Sequence, residues 1–401
     1  VGYVIDSAGD VNGDNYDDII IGTFHNHTKG WDAGAVYLIL GRQIADWGMQ
    51  DSLSHSDTRF LASQRLEAVG FAIAGKGDVN GDGLGDILIG APAGNDVVGS
   101  RPGKMYIVFG DSAAPWGYDC ILDDRADLIF HGENPQDLAG RALEIISDLN
   151  NDGYDEILCA APYNDEAGTD AGKVYLILGR QDGWMNGFKL SLASVASFIF
   201  PKAYGTCGYS VANLGDVNND GKPDFAIGAP GANRVFVLYG RNGANWGHNF
   251  DLNNADLIIE GEHRLRDVEL GWSVEGAGDV NGDGIDDIII SAIEDNSGGY
   301  HSGKVFLVLG RNGGWPEKEL SLSQAEASYI GEGSGDQAGW GIGGIGDVNR
   351  DGYDDFMIGA WKAFHNYPEA GKAYLIYGKP NGWQQNIDLA DITNYYAGIA
   401  D

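Results

Sequence analysis

The stretch that most restricts what this chain can fold into is Asp279-Val280-Asn281-Gly282-Asp283-Gly284-Ile285-Asp286-Asp287, followed at once by the apolar run Ile288-Ile289-Ile290. Carboxylates and one amide at its first, third, fifth and ninth positions set hard oxygen donors around one tight turn, the donor type that a calcium ion takes. Gly282 and Gly284 permit the turn, because glycine adopts positive φ at little cost. The same nine-residue pattern begins at Asp10, Asp78, Asp148, Asp216, Asp279 and Asp347, at intervals of 68, 70, 68, 63 and 68 residues. A fixed period of this size is the signature of a repeat architecture and takes precedence over any local reading.

Residues 270 to 332 show one unit. Leu270 to Ala277 alternate large and small residues at period two and predict a first strand leading into the loop. Asp287 to Ala292 is nearly all apolar and predicts a second strand buried on both faces. Lys304 to Leu309, bounded by glycines and rich in β-branched residues, predicts a third. After a polar connection containing Trp315, Ala327 to Glu332 predicts a fourth. Four short strands per repeat make one antiparallel blade.

The other copies keep the same punctuation. A glycine stands eight residues before each loop, at Gly2, Gly70, Gly140, Gly208, Gly271 and Gly339. A small residue closes each second strand, at Gly22, Gly90, Ala160, Gly228, Ser291 and Gly359. One tryptophan lies in each connection between third and fourth strands, at Trp47, Trp116, Trp184, Trp246, Trp315 and Trp383, and is expected to anchor neighbouring blades. The span from Asp347 to Asp401, continued from Val1 to Asp10, is 64 residues, so the two ends read as one repeat. The fold class expected is all-β, a β-propeller of six four-stranded antiparallel blades. It forms a single domain over 1–401, with approximate repeats 1–68, 69–137, 138–206, 207–269, 270–337 and 338–401. The alternative is seven blades with one missing from this span.

Composition narrows the partners. A formal net charge of −34 opposes nucleic acid and anionic membranes. No apolar run reaches the eighteen or so residues of a membrane span, so no direct membrane insertion is expected. Cys120, Cys159 and Cys207 lie in different repeats without CxxC spacing and read as buried free thiols rather than a zinc site or disulfide framework. The chain opens at Val1 inside the first repeat, and is read as a processed product or a piece of a longer protein.

At these residues the sequence resembles the FG-GAP repeat family, known from the N-terminal propeller of integrin alpha chains. Gly90-Ala91-Pro92 and Gly228-Ala229-Pro230 match the GAP element, Ala160-Ala161-Pro162 nearly does, and Gly359-Ala360-Trp361 keeps two of three residues. The FG element keeps its glycine in all six copies, with Val1, Val69, Ala139, Cys207, Leu270 and Ala338 where the family prefers Phe. The resemblance implies a calcium-bound, extracellular or cell-surface propeller used for adhesion or ligand binding. Six blades with six loops depart from the integrin chains, whose seven blades bind calcium only in some. With no Arg-Gly-Asp tripeptide and no Asp-x-Ser-x-Ser motif, a prokaryotic-type relative is expected.

The proposed metal ligands are Asp10, Asn12, Asp14 and Asp18; Asp78, Asn80, Asp82 and Asp86; Asp148, Asn150, Asp152 and Glu156; Asp216, Asn218, Asp220 and Asp224; Asp279, Asn281, Asp283 and Asp287; and Asp347, Asn349, Asp351 and Asp355. About six structural Ca2+ ions follow, each with a backbone carbonyl from the seventh residue. An EF-hand is rejected, because its twelfth-position glutamate is replaced by Ile21, Ile89, Cys159, Ile227, Ile290 and Ile358, all inside predicted strands.

Function is expected on the opposite face, where loops vary in length and composition. The aromatics and histidines there are His25, His27, Trp31, Tyr163, Tyr300, His301, Trp361, Phe364, His365 and Tyr367. They suggest a rim for a protein or glycan ligand, in a non-catalytic module of a secreted or cell-surface protein. No nucleophile elbow, HExxH or paired-carboxylate signature points to an enzyme. The alternatives are a structural module of a surface layer or large adhesin, within a larger surface assembly, or an accessory domain of a secreted carbohydrate- or lipid-active enzyme.

Overall fold

The computed structural model describes residues 2–43, 52–94, 101–261, 268–365 and 369–397. The architecture is all-β, a β-propeller of six blades, with helix among the described residues confined to turns of three or four residues. The chain divides into two compact units, Val1–Ile199 with Gly243–Phe250, and Phe200–Asn242 with Asp251–Asp401.

The first unit carries three blades. Their antiparallel strands are Val4–Gly9, Asp18–Thr23, Ala35–Ile39 and Thr58–Leu61; then Ile73–Gly77, Asp86–Ala91, Lys104–Val108 and Leu128–His131; then Ala142–Ile146, Glu156–Ala161, Lys173–Ile177 and Ala196–Ile199. The second unit repeats the pattern with Ser210–Gly215, Asp224–Ala229, Arg234–Leu238 and Leu257–Glu260; Leu270–Gly278, Asp287–Ala292, Lys304–Val308 and Ala327–Ile330; and Ala338–Gly346, Asp355–Ala360, Lys372–Ile376 and Tyr395–Ala397. In four blades the second strand is buried on both faces, as the unbroken apolar runs predict and as all six residues of Asp86–Ala91 and of Asp287–Ala292 show; in Asp18–Thr23 and Asp355–Ala360 two residues are half-buried. In five blades the register slips where the first strand enters the Asp-rich turn, as between Gly276 and Gly278. Such a bulge bends the strand and re-aims the residue that follows it.

The two glycine motifs of the repeat are the two sides of one contact. A Cβ on Gly90 would lie 2.1 Å from the carbonyl oxygen of Gly140 in the next blade, and one on Gly228 would lie 2.3 Å from that of Gly271. The small residue closing one second strand and the glycine opening the next blade are therefore fixed together by steric need.

A fifth strand escapes the sequence reading. The connection between third and fourth strands leaves its own blade and runs parallel to the outer strand of the preceding one. Asp119–Ile121 pairs with Thr58–Leu61, Glu319–Ser321 with Leu257–Glu260, and Ile387–Asp388 with Ala327–Ile330. These straps are two or three residues long, too short to show a period. The repeat tryptophans pin them down. Trp116 lies 5.8 Å from Phe60 of the preceding blade, and Trp246 lies 5.7 Å from Phe198. Trp47 lies outside the described residues. The three cysteines are free and buried.

Trp246 is 8% exposed, and truncating it removes both a buried ring and the strap's anchor. Trp246→Ala is expected to lower stability by about 3–5 kcal/mol, read from the urea midpoint of unfolding in calcium.

Candidate metal centres

Each Asp-rich loop is the hairpin turn between first and second strands. Its fourth and sixth residues are left-handed in every copy, with φ between 59° and 93°, as at Gly282 and Gly284. Glycine or asparagine fills these positions except at Arg350, whose φ of 63° is strained for a long side chain.

The turn orients the oxygens. Asp279 Oδ1 accepts the N–H groups of Gly282 and Asp283 at 2.7 and 3.0 Å, and its Oδ2 accepts that of Gly284 at 2.8 Å. Asp10, Asp78, Asp148, Asp216 and Asp347 likewise accept from their own turns. The fifth-position carboxylates Asp14, Asp82, Asp152, Asp220, Asp283 and Asp351 each accept from the residue two further on. At the third position Asn12, Asn80 and Asn349 donate to Asp14, Asp82 and Asp351, whereas Asn150 and Asn218 turn inward to Glu156 and Asp224. Asn281 occupies the same position in its loop.

The ninth-position carboxylates carry the electrostatic tension. Asp18, Asp86, Glu156, Asp224, Asp287 and Asp355 are all 0% exposed. Each accepts the N–H of the loop's second residue, as Asp287 does from Val280 at 3.0 Å. All but Glu156 also accept from a glycine ending the third strand, such as Gly310 at 2.8 Å. Burial pushes Asp86, Glu156, Asp224 and Asp287 up to about 8, against the pull of those N–H groups, and the other two carboxylates of the loop add to the rise. Asp18 is raised to about 6 for the same reasons.

As they stand, no three acidic, imidazole or thiol side chains among the described residues converge tightly enough to hold an ion. Their oxygens are turned onto main-chain N–H groups instead. The donor set nevertheless fits a hard divalent cation. It is all oxygen, and a carboxylate oxygen that accepts one N–H retains a second lone pair.

The loops are also linked to one another, through an eighth-position aspartate that sequence reasoning missed. Asp155 accepts the N–H of Asp78 in the preceding blade at 2.8 Å, Asp286 that of Asp216 at 2.7 Å, and Asp354 that of Asp279 at 2.9 Å. Within the units, the residue following a third-strand glycine donates to the second loop residue of the preceding blade, at Asp111, Arg180, Arg311 and Lys379, as Arg311 does to Val217 at 2.9 Å. Asp at the eighth position of a loop was the available signal, but its partner lies about seventy residues away.

The rim residues fall into separate groups at the strand ends away from these turns. In the first unit His25 Nδ1 lies 2.8 Å from Asp32, and His27 stacks on the exposed Trp31 at 4.9 Å. Tyr163 sits on the corresponding loop of the third blade and lines a cavity of about 300 Å³. In the second unit Tyr300 stacks on His301 at 3.8 Å, and both line a cavity of about 430 Å³ with Phe364. Trp361 donates its Nε1 to Gln337 at 3.0 Å, and His365 lies 6.0 Å from Tyr395. Tyr367 lies outside the described residues. The structure adds a ladder that the sequence reading overlooks: Tyr209, Trp272, Trp340 and Trp361 follow one another at 4.7, 4.6 and 5.0 Å. Its signal is the residue after each repeat glycine, aromatic at Tyr3, Phe71, Tyr209, Trp272 and Trp340.

Blades built from one repeated unit, each turning through an acidic hairpin and joined within each unit by a glycine contact with the next, define a repeat β-propeller. The FG-GAP-like repeat family matches residues 148–227, and the FG-GAP repeat family matches 72–108 and 270–308. These stretches carry FG-GAP repeats, and the chain is similar to integrin alpha chains. It is 29% identical over 184 residues to integrin alpha-6 of Gallus gallus, covering 45% of this chain and 16% of that protein. It is 28% identical over 254 residues to the phosphatidylinositol-glycan-specific phospholipase D of Bos taurus, covering 60% and 29%. With integrin alpha-IIb of Homo sapiens the identity is 29% over 241 residues, covering 59% and 20%. The match thus spans less than a third of the length of each of these relatives.

The raised carboxylates set a pH dependence for the metal-free chain. A folded pKa near 8 against an ordinary value of 3.8 to 4.5 means the protonated form is favoured by folding. That stability is present in full below about pH 4 and is lost as pH rises toward 8. In chelator the melting temperature is expected to fall between pH 5 and pH 8, and added calcium to remove most of that fall. A chelated chain equally stable at both pH values would contradict the assigned burial.

Proposed function

We propose that this chain is a calcium-stabilised, non-catalytic module of a secreted or cell-surface protein that holds a protein or glycan ligand on the loops away from its metal turns. The observation that carries the calcium reading is the fully buried ninth-position carboxylate, which shares a nine-residue turn with two further carboxylates in each of six copies. A cation among them turns mutual repulsion into attraction. Calcium is favoured over magnesium because the donors are many, irregular and all from protein, where magnesium keeps an octahedron with several waters. The ligands would be the six sets at positions one, three, five and nine named above.

Ligand binding is supported by the exposed aromatics of the opposite loops: Trp31 is 68%, Tyr300 71% and Phe364 62% exposed. Large exposed rings on variable loops of a regular scaffold are what a recognition surface presents. The resemblance to integrin alpha propellers supports the same use. A second reading, an accessory domain of a lipid-active enzyme, is favoured by the phospholipase D match over 60% of this chain. Under that reading too, these blades do no chemistry themselves.

At free calcium tenfold above Kd, each site adds about 1.4 kcal/mol, so three sites in a unit add about 4. Chelation is therefore expected to lower the melting temperature by about 10 °C, and an unchanged melt would count against structural calcium. For the ligand face, binding to protein and glycan arrays in calcium is expected to weaken in Trp31→Ala and Trp361→Ala. Binding unaltered in both would sink the rim.

A further inference from the structure

With the Asp-rich loops counted one to six in chain order, the eighth residue of each stands between two of its proposed donors, the carbonyl of the seventh residue and the carboxylate of the ninth. In loop 5 that residue is Asp286, and it grips the main chain of Asp216, the first donor of loop 4, from both sides. Asp286 Oδ2 accepts the N–H of Asp216 at 2.7 Å, and the N–H of Asp286 donates to the carbonyl of Asp216 at 3.4 Å. Asp354 of loop 6 holds Asp279 in the same way at 2.9 and 3.1 Å, and Asp155 of loop 3 holds Asp78 at 2.8 and 3.2 Å. With its other oxygen Asp155 also accepts the N–H of Asp148, the first residue of its own loop, at 2.9 Å.

Further contacts run in the same direction. The N–H groups of Arg311 and Gly313 donate to the carbonyls of Val217 and Asn218 in loop 4, at 2.9 and 2.7 Å. The seventh residue of a loop lies against the fourth residue of the loop before it. A Cβ on Gly282 would come within 2.6 Å of the Tyr353 ring, and one on Gly81 within 2.4 Å of the Tyr154 ring. Loop 2 differs, because its eighth residue is Gly85. Gly85 donates its N–H to the carbonyl of Asp10 at 2.9 Å but has no carboxylate to offer the N–H.

A loop that is ordered when it takes up a ligand loses conformational freedom, and a loop whose first donor is already held has less freedom left to lose. Asp216 lends its carboxylate to loop 4 while Asp286 of loop 5 fixes its main chain. Order in either loop therefore favours order in the other, and such coupling is reciprocal. We infer that Asp155, Asp286 and Asp354 are positioning residues that make calcium binding cooperative between neighbouring loops of a unit. Loops 4, 5 and 6 form one linked set, and loops 2 and 3 another. The inference rests on the calcium reading above and adds how its sites act on one another.

The test is hydrogen exchange of each loop, followed by mass spectrometry while the chelator-stripped chain is titrated with calcium. Asp283→Ala, at an exposed ligand of loop 5, is expected to raise the calcium midpoint of loops 4 and 6 about tenfold. Asp286→Ala leaves the ligand side chains of loop 5 in place, and should raise the midpoint of loop 4 by a similar factor while adding nothing in the Asp283→Ala background. Asp286→Asn keeps an acceptor for the N–H of Asp216 and should return loop 4 toward its original midpoint, which separates the hydrogen bond from the charge. In the first unit Asp82→Ala, at an exposed ligand of loop 2, should move loop 3 several-fold more than loop 1. Loops 4 and 6 unmoved in Asp283→Ala, equal shifts of loop 4 in the alanine and asparagine variants, or equal shifts of loops 1 and 3 in Asp82→Ala would overturn the inference and leave the calcium reading standing. Loops that gain no protection at any calcium concentration would sink both.

Discussion

Three carboxylates within one nine-residue turn, the last of them wholly buried, are the constraint on which the rest of this propeller depends. A lone buried carboxylate strongly favours its neutral form, and two neighbours of the same charge make ionisation harder still. The main-chain N–H groups of Val280 and Gly310 relieve this for Asp287 only in part, since its pKa still rises to about 8. On the proposed calcium reading, a divalent cation would complete the relief at the point where the first two strands of each blade are joined.

The same turns tie blade to blade within each unit. Asp286 and Asp354 reach back to the N–H groups of Asp216 and Asp279, which are themselves first-position loop residues. An ion held by one loop would therefore steady a residue that the next blade grips. At the other end of the strands, the contacts of Gly90 with Gly140 and of Gly228 with Gly271 set the spacing between blades. With both ends of the strands held, the variable loops beyond the glycines stand on a rigid base, free to differ in sequence without disturbing the fold.

Much of this was legible in the sequence. The recurrence of Asp-x-Asn-x-Asp, the apolar run after it and the glycine before it specify hairpin, buried strand and blade entry, because each follows from local chemistry. What stayed hidden depends on neighbours in space. The straps Asp119–Ile121 and Glu319–Ser321 are too short to carry a period, and they pair with another blade. Asp155 looks like one more acidic turn residue until its acceptor role toward Asp78 is seen. The rim residues Tyr300, His301 and Phe364 do share a cavity. The ladder through Trp272 and Trp340 was overlooked because both residues read as strand positions.

The most direct measurement is anomalous scattering from crystals of the chain grown in calcium. Six peaks, each about 2.3–2.6 Å from the first-, third-, fifth- and ninth-position oxygens of one loop, are the expected result. Loops without peaks, with Asp279 and Asp287 still turned onto main-chain N–H groups in saturating calcium, would contradict it.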